Sequence, residues 1–148
     1  MDSNILLVNP DINPESQNKI VNQMINKIFP TSIGVLAGYI LDMGIVDTVR
    51  IIDEQVELIE DQDIEKIILS LDSPRIIGIS VLTLNSKRAY NLAGKIKRVD
   101  PNVLTVLGGI HPTVLTEEAL NHKDIDLVIR GEGEETFKEL VELVLGGK

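Results

Sequence analysis

Ile76-Ile77-Gly78-Ile79-Ser80-Val81-Leu82-Thr83 is the stretch of the sequence that decides the fold. It begins as a continuous apolar run of strand length. Its last four residues include two hydroxyl side chains, those of Ser80 and Thr83. A continuous apolar run, unlike an alternating one, predicts a strand buried on both faces, as in parallel sheets covered by helices. Residues directly after such strands lie at the carboxyl edge of the sheet, where open α/β sheets bind ligands.

Similar apolar runs recur along the chain and alternate with segments of helical spacing. The further strands are predicted at Ile5 to Val8, Val46 to Ile52, Val103 to Leu107 and Ile125 to Ile129. Helices are predicted after Pro30 and before Asp100-Pro101. Five strands joined by right-handed crossovers predict one α/β domain over residues 1–148: a flavodoxin-like (Rossmann-like), doubly wound parallel sheet in the order 2-1-3-4-5, with helices on both faces.

Composition excludes several classes of function. The 148 residues carry a net charge of −9, so nucleic acid and anionic membranes are poor partners. Without cysteine the chain can form no disulfide, no thiolate nucleophile and no cysteine-held zinc or iron–sulfur site. No signal peptide and no apolar run near the ~20 residues of a membrane span are present, so a cytoplasmic protein is predicted.

A long connection separates the first strand from the helix after Pro30. Residues Ile20, Val21, Met24, Ile25 and Ile28 within it form an apolar stripe, which predicts a short amphipathic helix in the 15–29 segment. Such a helix either covers the sheet edge or acts as a lid or a partner-docking surface.

Two more segments are predicted at the carboxyl edge of the sheet: Gly108-Gly109-Ile110-His111-Pro112-Thr113 and Gly131-Glu132-Gly133-Glu134. Paired glycines allow a sharp turn or a close approach to a ligand or helix, and unusual backbone angles are expected at Gly131 and Gly133. Pro112 is expected to hold the preceding residue extended, and Thr116 to cap a short helix. Ser80 and Thr83 either bind a ligand or cap the helix near Asn85, and taken alone the pattern favours capping.

The sequence offers neither a catalytic residue nor a metal ligand. Its two histidines, His111 and His122, have no cysteine or histidine partner at metal-binding spacing, so they are interpreted as a polar turn residue and a solvated loop residue. The third strand does not end in the aspartate that a phosphoacceptor receiver needs. The loop Asn9-Pro10-Asp11 carries neither a dinucleotide fingerprint nor a P-loop.

The combination of Ser80-x-Leu82-Thr83 with Gly108-Gly109, which begins 25 positions after Thr83, resembles two signatures of cobalamin-binding domains with the flavodoxin-like fold. Pro30-Thr31-Ser32-Ile33-Gly34, Gly-Gly-x-His-Pro-Thr and Arg130-Gly-Glu-Gly-Glu134 extend the resemblance over nearly the whole chain. This wider pattern is similar to the N-terminal cobalamin (B12)-binding domain of B12-dependent radical SAM proteins, including the anaerobic magnesium-protoporphyrin IX monomethyl ester cyclase group.

The resemblance implies that a deep slot formed by Ser80, Leu82, Thr83, Gly108 and Gly109 holds the nucleotide tail of the cofactor. It also implies that loops at Asn9, Thr31, His111 and Gly131 to Gly133 face the corrin. Cobalamin is the implied cofactor, and the implied partner is a radical SAM domain, in cis or in trans, that binds S-adenosylmethionine and a [4Fe-4S] cluster. The implied cofactor-binding residues are Asn9, Thr31, Ser80, Leu82, Thr83, Gly108, Gly109, Ile110, His111, Gly131, Glu132 and Gly133.

The loop after the first strand departs from many corrinoid-binding domains, which carry D-x-H-x-x-G there. This chain reads Asn9-Pro10-Asp11-Ile12-Asn13-Pro14 and lacks the histidine that ligates cobalt from below. Its absence is typical of the radical SAM branch, but it also fits a domain that has lost the cofactor and serves as a scaffold. A flavin carrier is a weaker alternative, because the few aromatic residues fall mostly in helical segments. The isolated chain, without cysteine, is not expected to catalyse radical chemistry.

Overall fold

A parallel five-stranded sheet forms the centre of the molecule in the computed structural model, which describes residues 3–12 and 30–146. The strands are β1 (Ile5–Asn9), β2 (Arg50–Asp53), β3 (Ile76–Ser80), β4 (Leu104–Gly108) and β5 (Leu127–Val128). Their order in the sheet is β2-β1-β3-β4-β5, and all four pairings are parallel. The predicted order 2-1-3-4-5 is therefore confirmed.

Six α-helices follow the strands or connect them within the described part of the chain. They are α1 (Thr31–Asp42), α2 (Asp61–Leu69), α3 (Ser86–Val99), α4 (Ile110–Val114), α5 (Thr116–Leu120) and α6 (Glu134–Leu145). A 3₁₀ turn at Thr83–Asn85 leads into α3. The helices predicted after Pro30 and before Asp100-Pro101 correspond to α1 and α3.

Both faces of the sheet are covered, which explains why the strands read as continuous apolar runs. Successive side chains of a strand point to opposite faces. Leu6 and Val8 pack in a cluster with α2 and α3. Ile5 and Leu7 pack in a second cluster with α1 and α6. The strand β1 therefore buries every side chain of its run.

Two predicted strands are too long. The second begins at Arg50 rather than Val46, because its pairing with β1 starts at Leu6↔Arg50, while Val46 packs against the α1 and α6 cluster. The fifth pairs only two residues with β4, namely Val106↔Leu127 and Leu107↔Val128. Both are edge strands, so a ladder on one side alone limits their length.

The prediction of the backbone conformation after Gly109 is also wrong in part. His111 and Pro112 lie inside α4 rather than in an extended turn, since proline is tolerated in the first turn of a helix. Thr116 does not cap α5 but begins it, and its hydroxyl donates to the Pro112 carbonyl oxygen at 2.8 Å. Gly131 has the expected positive φ of 69°, whereas Gly133 has an ordinary φ of −102°.

The apolar stripe from Ile20 to Ile28 lies outside the described residues. Across residues 3–12 and 30–146 the helices are too short or too polar for a bilayer span.

Candidate functional site

A cavity of about 260 Å³ opens at the carboxyl edge of the sheet, on the face covered by α1 and α6. Its floor includes Leu7 of β1, Gly78 of β3 and Val106 of β4. Its walls include Ile33 of α1 and Phe137 of α6. The chain runs from β1 outward to β2 and then back to β3, so the cavity lies at the topological switch point where such sheets bind ligands.

Gly78 contributes no side chain to the floor of the cavity. A Cβ at this position would lie 2.7 Å from Leu7 Cδ2 and 3.7 Å from Phe137 Cε2. Gly78 pairs with Leu7 on one side and Val106 on the other, so three adjacent strands meet at this point of the floor. A glycine inside a buried strand marks such a close approach.

Gly108 and Gly109 differ in what surrounds them. A Cβ on Gly108 would have no heavy atom within 4 Å, and the residue lines the cavity. Gly109 has a φ of 106°, and its Cβ would lie 2.7 Å from the Val81 carbonyl oxygen. That oxygen also accepts a hydrogen bond from the His111 amide at 3.1 Å. Gly109 is therefore required for the tight chain crossing, while Gly108 leaves open space.

Polar groups surround the mouth of the cavity. The hydroxyls of Ser32 in α1 and Ser80 at the end of β3 are 3.5 Å apart. Glu132 and Glu134 line the side toward α6. Nearby, Tyr39 of α1 donates a hydrogen bond to Glu135 of α6, and this bond raises the pKa of the tyrosine hydroxyl. The two helices that flank the cavity are thus linked across its outer side.

Half of the predicted site residues line the cavity. These are Ser80, Gly108, Gly109, Gly131, Glu132 and Gly133. Neither Ser80 nor Thr83 caps a helix through its side chain, so the expectation of capping is wrong: Asn85 Oδ1 instead accepts from the Leu82 amide at 2.8 Å.

The other half do not line the cavity. Asn9 is buried and its amide donates to Asp53 at 2.8 Å. Thr31 is exposed at the start of α1, and Ile110, 68% exposed, begins α4. Leu82 and Thr83 lie at the 3₁₀ turn. All of them follow or flank the carboxyl ends of strands.

His111 is a buried residue rather than a polar turn residue. Its Nε2 lies 3.0 Å from the Tyr90 hydroxyl, and its Nδ1 lies 3.4 Å from the Thr83 hydroxyl. The ring of Tyr90 stacks on exposed His122 with centroids 3.7 Å apart. Burial and the charge of Glu118 raise the pKa of Tyr90. His111 therefore ties the loop after β3 to α3 and α4.

A buried ion pair between Glu54 and Arg88 supports the loop after β1 and was not predicted from the sequence. Arg88 Nε and Nη2 donate to the two carboxylate oxygens of Glu54 at 2.9 and 2.5 Å, and these bonds raise the pKa of Arg88. Glu54 also accepts from the Asp11 amide at 3.2 Å. Asn85 donates to the Pro10 carbonyl oxygen at 3.0 Å. Glu54 directly follows β2, a position that could have identified it as a residue of the carboxyl edge.

Sequence reasoning also missed most of the cavity lining. The missed residues are Leu7, Ser32, Ile33, Leu36, Gly78, Ile79, Val106, Ile129, Glu134 and Phe137. Most are apolar and indistinguishable from core residues in the sequence. The glycine inside the third apolar run was the available signal.

The comparison with protein families identifies this architecture. The family model described as the B12 binding domain matches residues 20–141. The chain belongs to this family. The predicted resemblance to the cobalamin-binding domain of B12-dependent radical SAM proteins is confirmed, and cobalamin is the cofactor of the family.

Named relatives of this B12-binding domain are enzymes several times longer. It is 43% identical over 101 residues to an uncharacterized methyltransferase of Pyrococcus horikoshii, covering 68% of this chain and 22% of the relative. It is 35% identical over 120 residues to the anaerobic magnesium-protoporphyrin IX monomethyl ester cyclase of Rubrivivax gelatinosus, covering 80% of this chain and 21% of the relative. The matched part of the chain therefore covers about a fifth of the length of these relatives.

A solved structure shares the fold. The cobalamin-dependent S-adenosylmethionine radical enzyme OxsB with aqua-cobalamin bound matches at a TM-score of 0.76 and 23% identity, over 99% of this chain and 19% of the other. The flavodoxin-like fold of the B12-binding domain is thereby confirmed.

The residues of this B12-binding domain fit the tail of a corrinoid. The cavity is lined mainly by apolar side chains, and Gly108 contributes no side chain to it. Its volume of about 260 Å³ suits a bicyclic ring rather than a whole corrin. Ligand sites for whole drug-sized molecules usually occupy roughly 300–1,000 Å³.

Proposed function

We propose that this chain is the cobalamin-binding module of a B12-dependent radical SAM enzyme of the methyltransferase or cyclase type. In this proposal residues 1–148 form a single domain, the N-terminal part of a longer protein. The radical SAM partner, in cis or in trans, supplies S-adenosylmethionine and the [4Fe-4S] cluster. Support comes from the family match and from relatives that are named as methyltransferases or cyclases and are about three to four times as long as this chain.

The cavity between α1 and α6 holds the nucleotide tail of the cofactor in this proposal. The observation that carries this placement of the tail is an apolar cavity at the switch point of the sheet. The cavity opens beside Gly108, where a Cβ would have no heavy atom within 4 Å. The hydroxyls of Ser32 and Ser80 at the mouth are placed to hydrogen-bond polar atoms of the tail. The apolar floor takes the base.

The corrin ring lies over the loops at the carboxyl edge in the same proposal. Asn9, Thr31, Leu82, Thr83, Ile110 and His111 occupy these loops or the helix ends beside them. Ile110 offers an exposed apolar surface. The side chains of His111 and Thr83 contact each other through the His111 Nδ1 and the Thr83 hydroxyl. Cobalamin, when bound, supplies a cobalt centre that carries an alkyl group.

The chain itself provides no histidine for the lower face of the cobalt. Its two histidines are His111, buried between Tyr90 and Thr83, and His122, stacked on Tyr90. The loop after β1 is held by Glu54 and Asn85 and carries Asp11 and Ile12 where other corrinoid domains place the ligand. We therefore expect a cofactor that is bound without a histidine of this chain as its lower ligand.

An absorbance titration of the chain with hydroxocobalamin, followed by desalting, tests the proposal. We expect the corrin absorbance to travel with the protein and to show a base-off spectrum, because the tail occupies the cavity and no histidine replaces it. A colourless protein after desalting contradicts the proposal for this chain, and a base-on spectrum contradicts the placement of the tail.

A Gly108→Leu variant tests whether the cavity is the binding site of the cofactor tail. The leucine side chain enters open space in the cavity, so we expect hydroxocobalamin affinity to fall at least about tenfold while the fold is kept. Gly38→Leu is the matched control, since Gly38 is exposed on α1, outside the cavity lining, with no heavy atom within 4 Å of its Cβ. Equal affinity in a folded Gly108→Leu variant would contradict the model.

A further inference from the structure

The inner part of the cavity differs chemically from its mouth. The side chains that line it below the mouth are buried and apolar, among them Leu7, Val106 and Phe137, each at most 2% exposed. The backbone of Gly78 belongs to parallel ladders on both sides, with β1 and with β4, so its polar groups are used by the sheet. Lining residues with polar side chains, such as Ser32 and Glu132, are exposed at the mouth.

We infer that this cavity selects among cobamides by the polarity of the lower base, favouring a benzimidazole or a phenolic base over adenine. This inference rests on the proposed function and adds to it the chemical class of cofactor that the site accepts. The selecting residues are the apolar floor and walls rather than the serines, which meet the polar end of the tail in every cobamide.

The physical reason is the cost of burying a polar group without a hydrogen-bond partner. The six-membered ring of dimethylbenzimidazole presents only carbon and hydrogen to its surroundings. Adenine is similar in size, but it carries further ring nitrogens and an exocyclic amine. Among the described residues no lining side chain below the mouth can donate to or accept from these groups. Such a mismatch corresponds to a loss of roughly tenfold or more in affinity.

The test compares three dicyano-cobamides in excess cyanide, which keeps the base off the cobalt in all three, on the full 148-residue chain by absorbance titration: cobalamin, adeninylcobamide and p-cresolylcobamide. We expect cobalamin and p-cresolylcobamide to bind within a few-fold of each other and adeninylcobamide to bind at least about tenfold more weakly. The cresol base separates polarity from size, because it is smaller than both other bases but apolar.

A pair of valine variants then assigns the selectivity to the cavity. Val106→Thr places a hydroxyl in the floor at almost unchanged volume, so the preference for cobalamin over adeninylcobamide should shrink several-fold. Val103→Thr makes the same change on the opposite face, where Val103 is 1% exposed in the cluster with α2 and α3, and should leave the preference unchanged. Differences between the free cobamides cancel, because each ratio is compared between protein variants.

The outcomes separate the inference from the proposed function. Equal affinity for cobalamin and adeninylcobamide overturns the inference but leaves the tail-binding site standing. Weak binding of both adeninyl- and p-cresolylcobamide overturns it as well, since size and not polarity then decides. If no cobamide binds, the proposed function fails, and the inference fails with it. A preference that is equally reduced in both valine variants overturns the assignment to the cavity floor.

Discussion

Gly108 and Gly109 stand side by side at the end of β4 and carry different constraints. An alanine at position 109 would have to adopt a φ of 106° with its Cβ 2.7 Å from the Val81 carbonyl oxygen. Strained backbone of this kind costs about 1–3 kcal/mol, so Gly109→Ala should lower the free energy of unfolding by at least that amount. Urea denaturation monitored by circular dichroism measures the loss.

Gly108→Ala serves as the matched control for this prediction. Its added methyl group meets no heavy atom within 4 Å, and its φ is not in the left-handed region. We expect a change within about 0.5 kcal/mol. If Gly108→Ala lowered the free energy of unfolding as much as Gly109→Ala does, the loss would not come from the contact between residue 109 and the Val81 carbonyl oxygen.

Residue types in the sequence predicted the edge of the site better than its interior. The glycine pair and Ser80 were recognisable because they stand directly after apolar runs, where parallel strands end at the edge that binds ligands. Which of the two glycines faces the cavity depends on a backbone angle that no residue type reveals. Leu7, Ile33 and Phe137 could not be predicted as lining residues, since apolar side chains around a cavity have the same pattern as a filled core.

At the scale of elements, the sequence predicted the central strands closely and the edge strands poorly. The run from Ile76 is β3 almost to the residue, because burial on both faces and pairing on both sides act together. In β2 and β5 the apolar run is longer than the ladder, and the surplus residues pack as loops. The short helix α4 was not predicted, because Pro112 was expected to hold His111 extended. In the structure Pro112 lies in the first turn of this helix.

The ion pair between Glu54 and Arg88 connects the end of β2 to α3. The Glu54 side chain is fully buried and that of Arg88 is 10% exposed. Arg88→Met would leave a buried carboxylate without its cation, so we expect a loss of about 3–5 kcal/mol in the free energy of unfolding. Urea denaturation at neutral pH measures this loss.

A second ion pair on the same helix provides the control. Lys95 contacts Asp61, whose side chain is 72% exposed, so Lys95→Met should cost less than about 1 kcal/mol. Adding Glu54→Gln to Arg88→Met should recover part of the stability, because a neutral amide is less costly to bury. A similar, small loss in Arg88→Met and Lys95→Met would mean that the buried pair contributes no more than a surface pair.

Asp126 connects β4 to the loop before β5 and makes stability depend on pH. Burial would raise the pKa of its carboxyl, but hydrogen bonds from Lys97 Nζ at 2.6 Å and from the Thr105 amide at 2.7 Å outweigh burial and lower it. A lowered pKa means that the ionised carboxylate stabilises the folded state above the unfolded pKa of about 3.9, and that this stability is lost as pH falls through the folded pKa.

We therefore expect Asp126→Asn to cost about 1 kcal/mol at pH 7, since the side chain is one-third exposed and partly screened. The difference from the wild-type chain should shrink below about pH 4. Urea midpoints at several pH values measure it, with Asp42→Asn at the exposed end of α1 as the control. A difference that stays constant across this range would assign the loss to something other than the charge of Asp126.

For the whole molecule, one face of the sheet holds the larger buried cluster and the other holds the cavity proposed for the cofactor tail. The face covered by α2 and α3 carries the larger cluster of buried side chains, including Ile68, Leu92 and Ile96. The face covered by α1 and α6 contains the cavity. Because both faces share the same strands, a tail that fills the cavity adds contacts to β1, β3 and β4 together. Binding should therefore stabilise the fold as a unit.

This coupling predicts a shift in the melting temperature. A ligand at 100 times its Kd stabilises the folded state by about 2.7 kcal/mol, which for a domain of this size corresponds to roughly 5–10 °C. Hydroxocobalamin should produce this shift in the wild-type chain and in Gly38→Leu, and about half of it or less in Gly108→Leu, where a tenfold weaker Kd leaves about 1.4 kcal/mol. Cobinamide, which has the corrin but lacks the nucleotide tail, should produce little shift. If cobinamide stabilises the chain as much as hydroxocobalamin does, the corrin supplies the binding energy and the cavity is not where the tail binds.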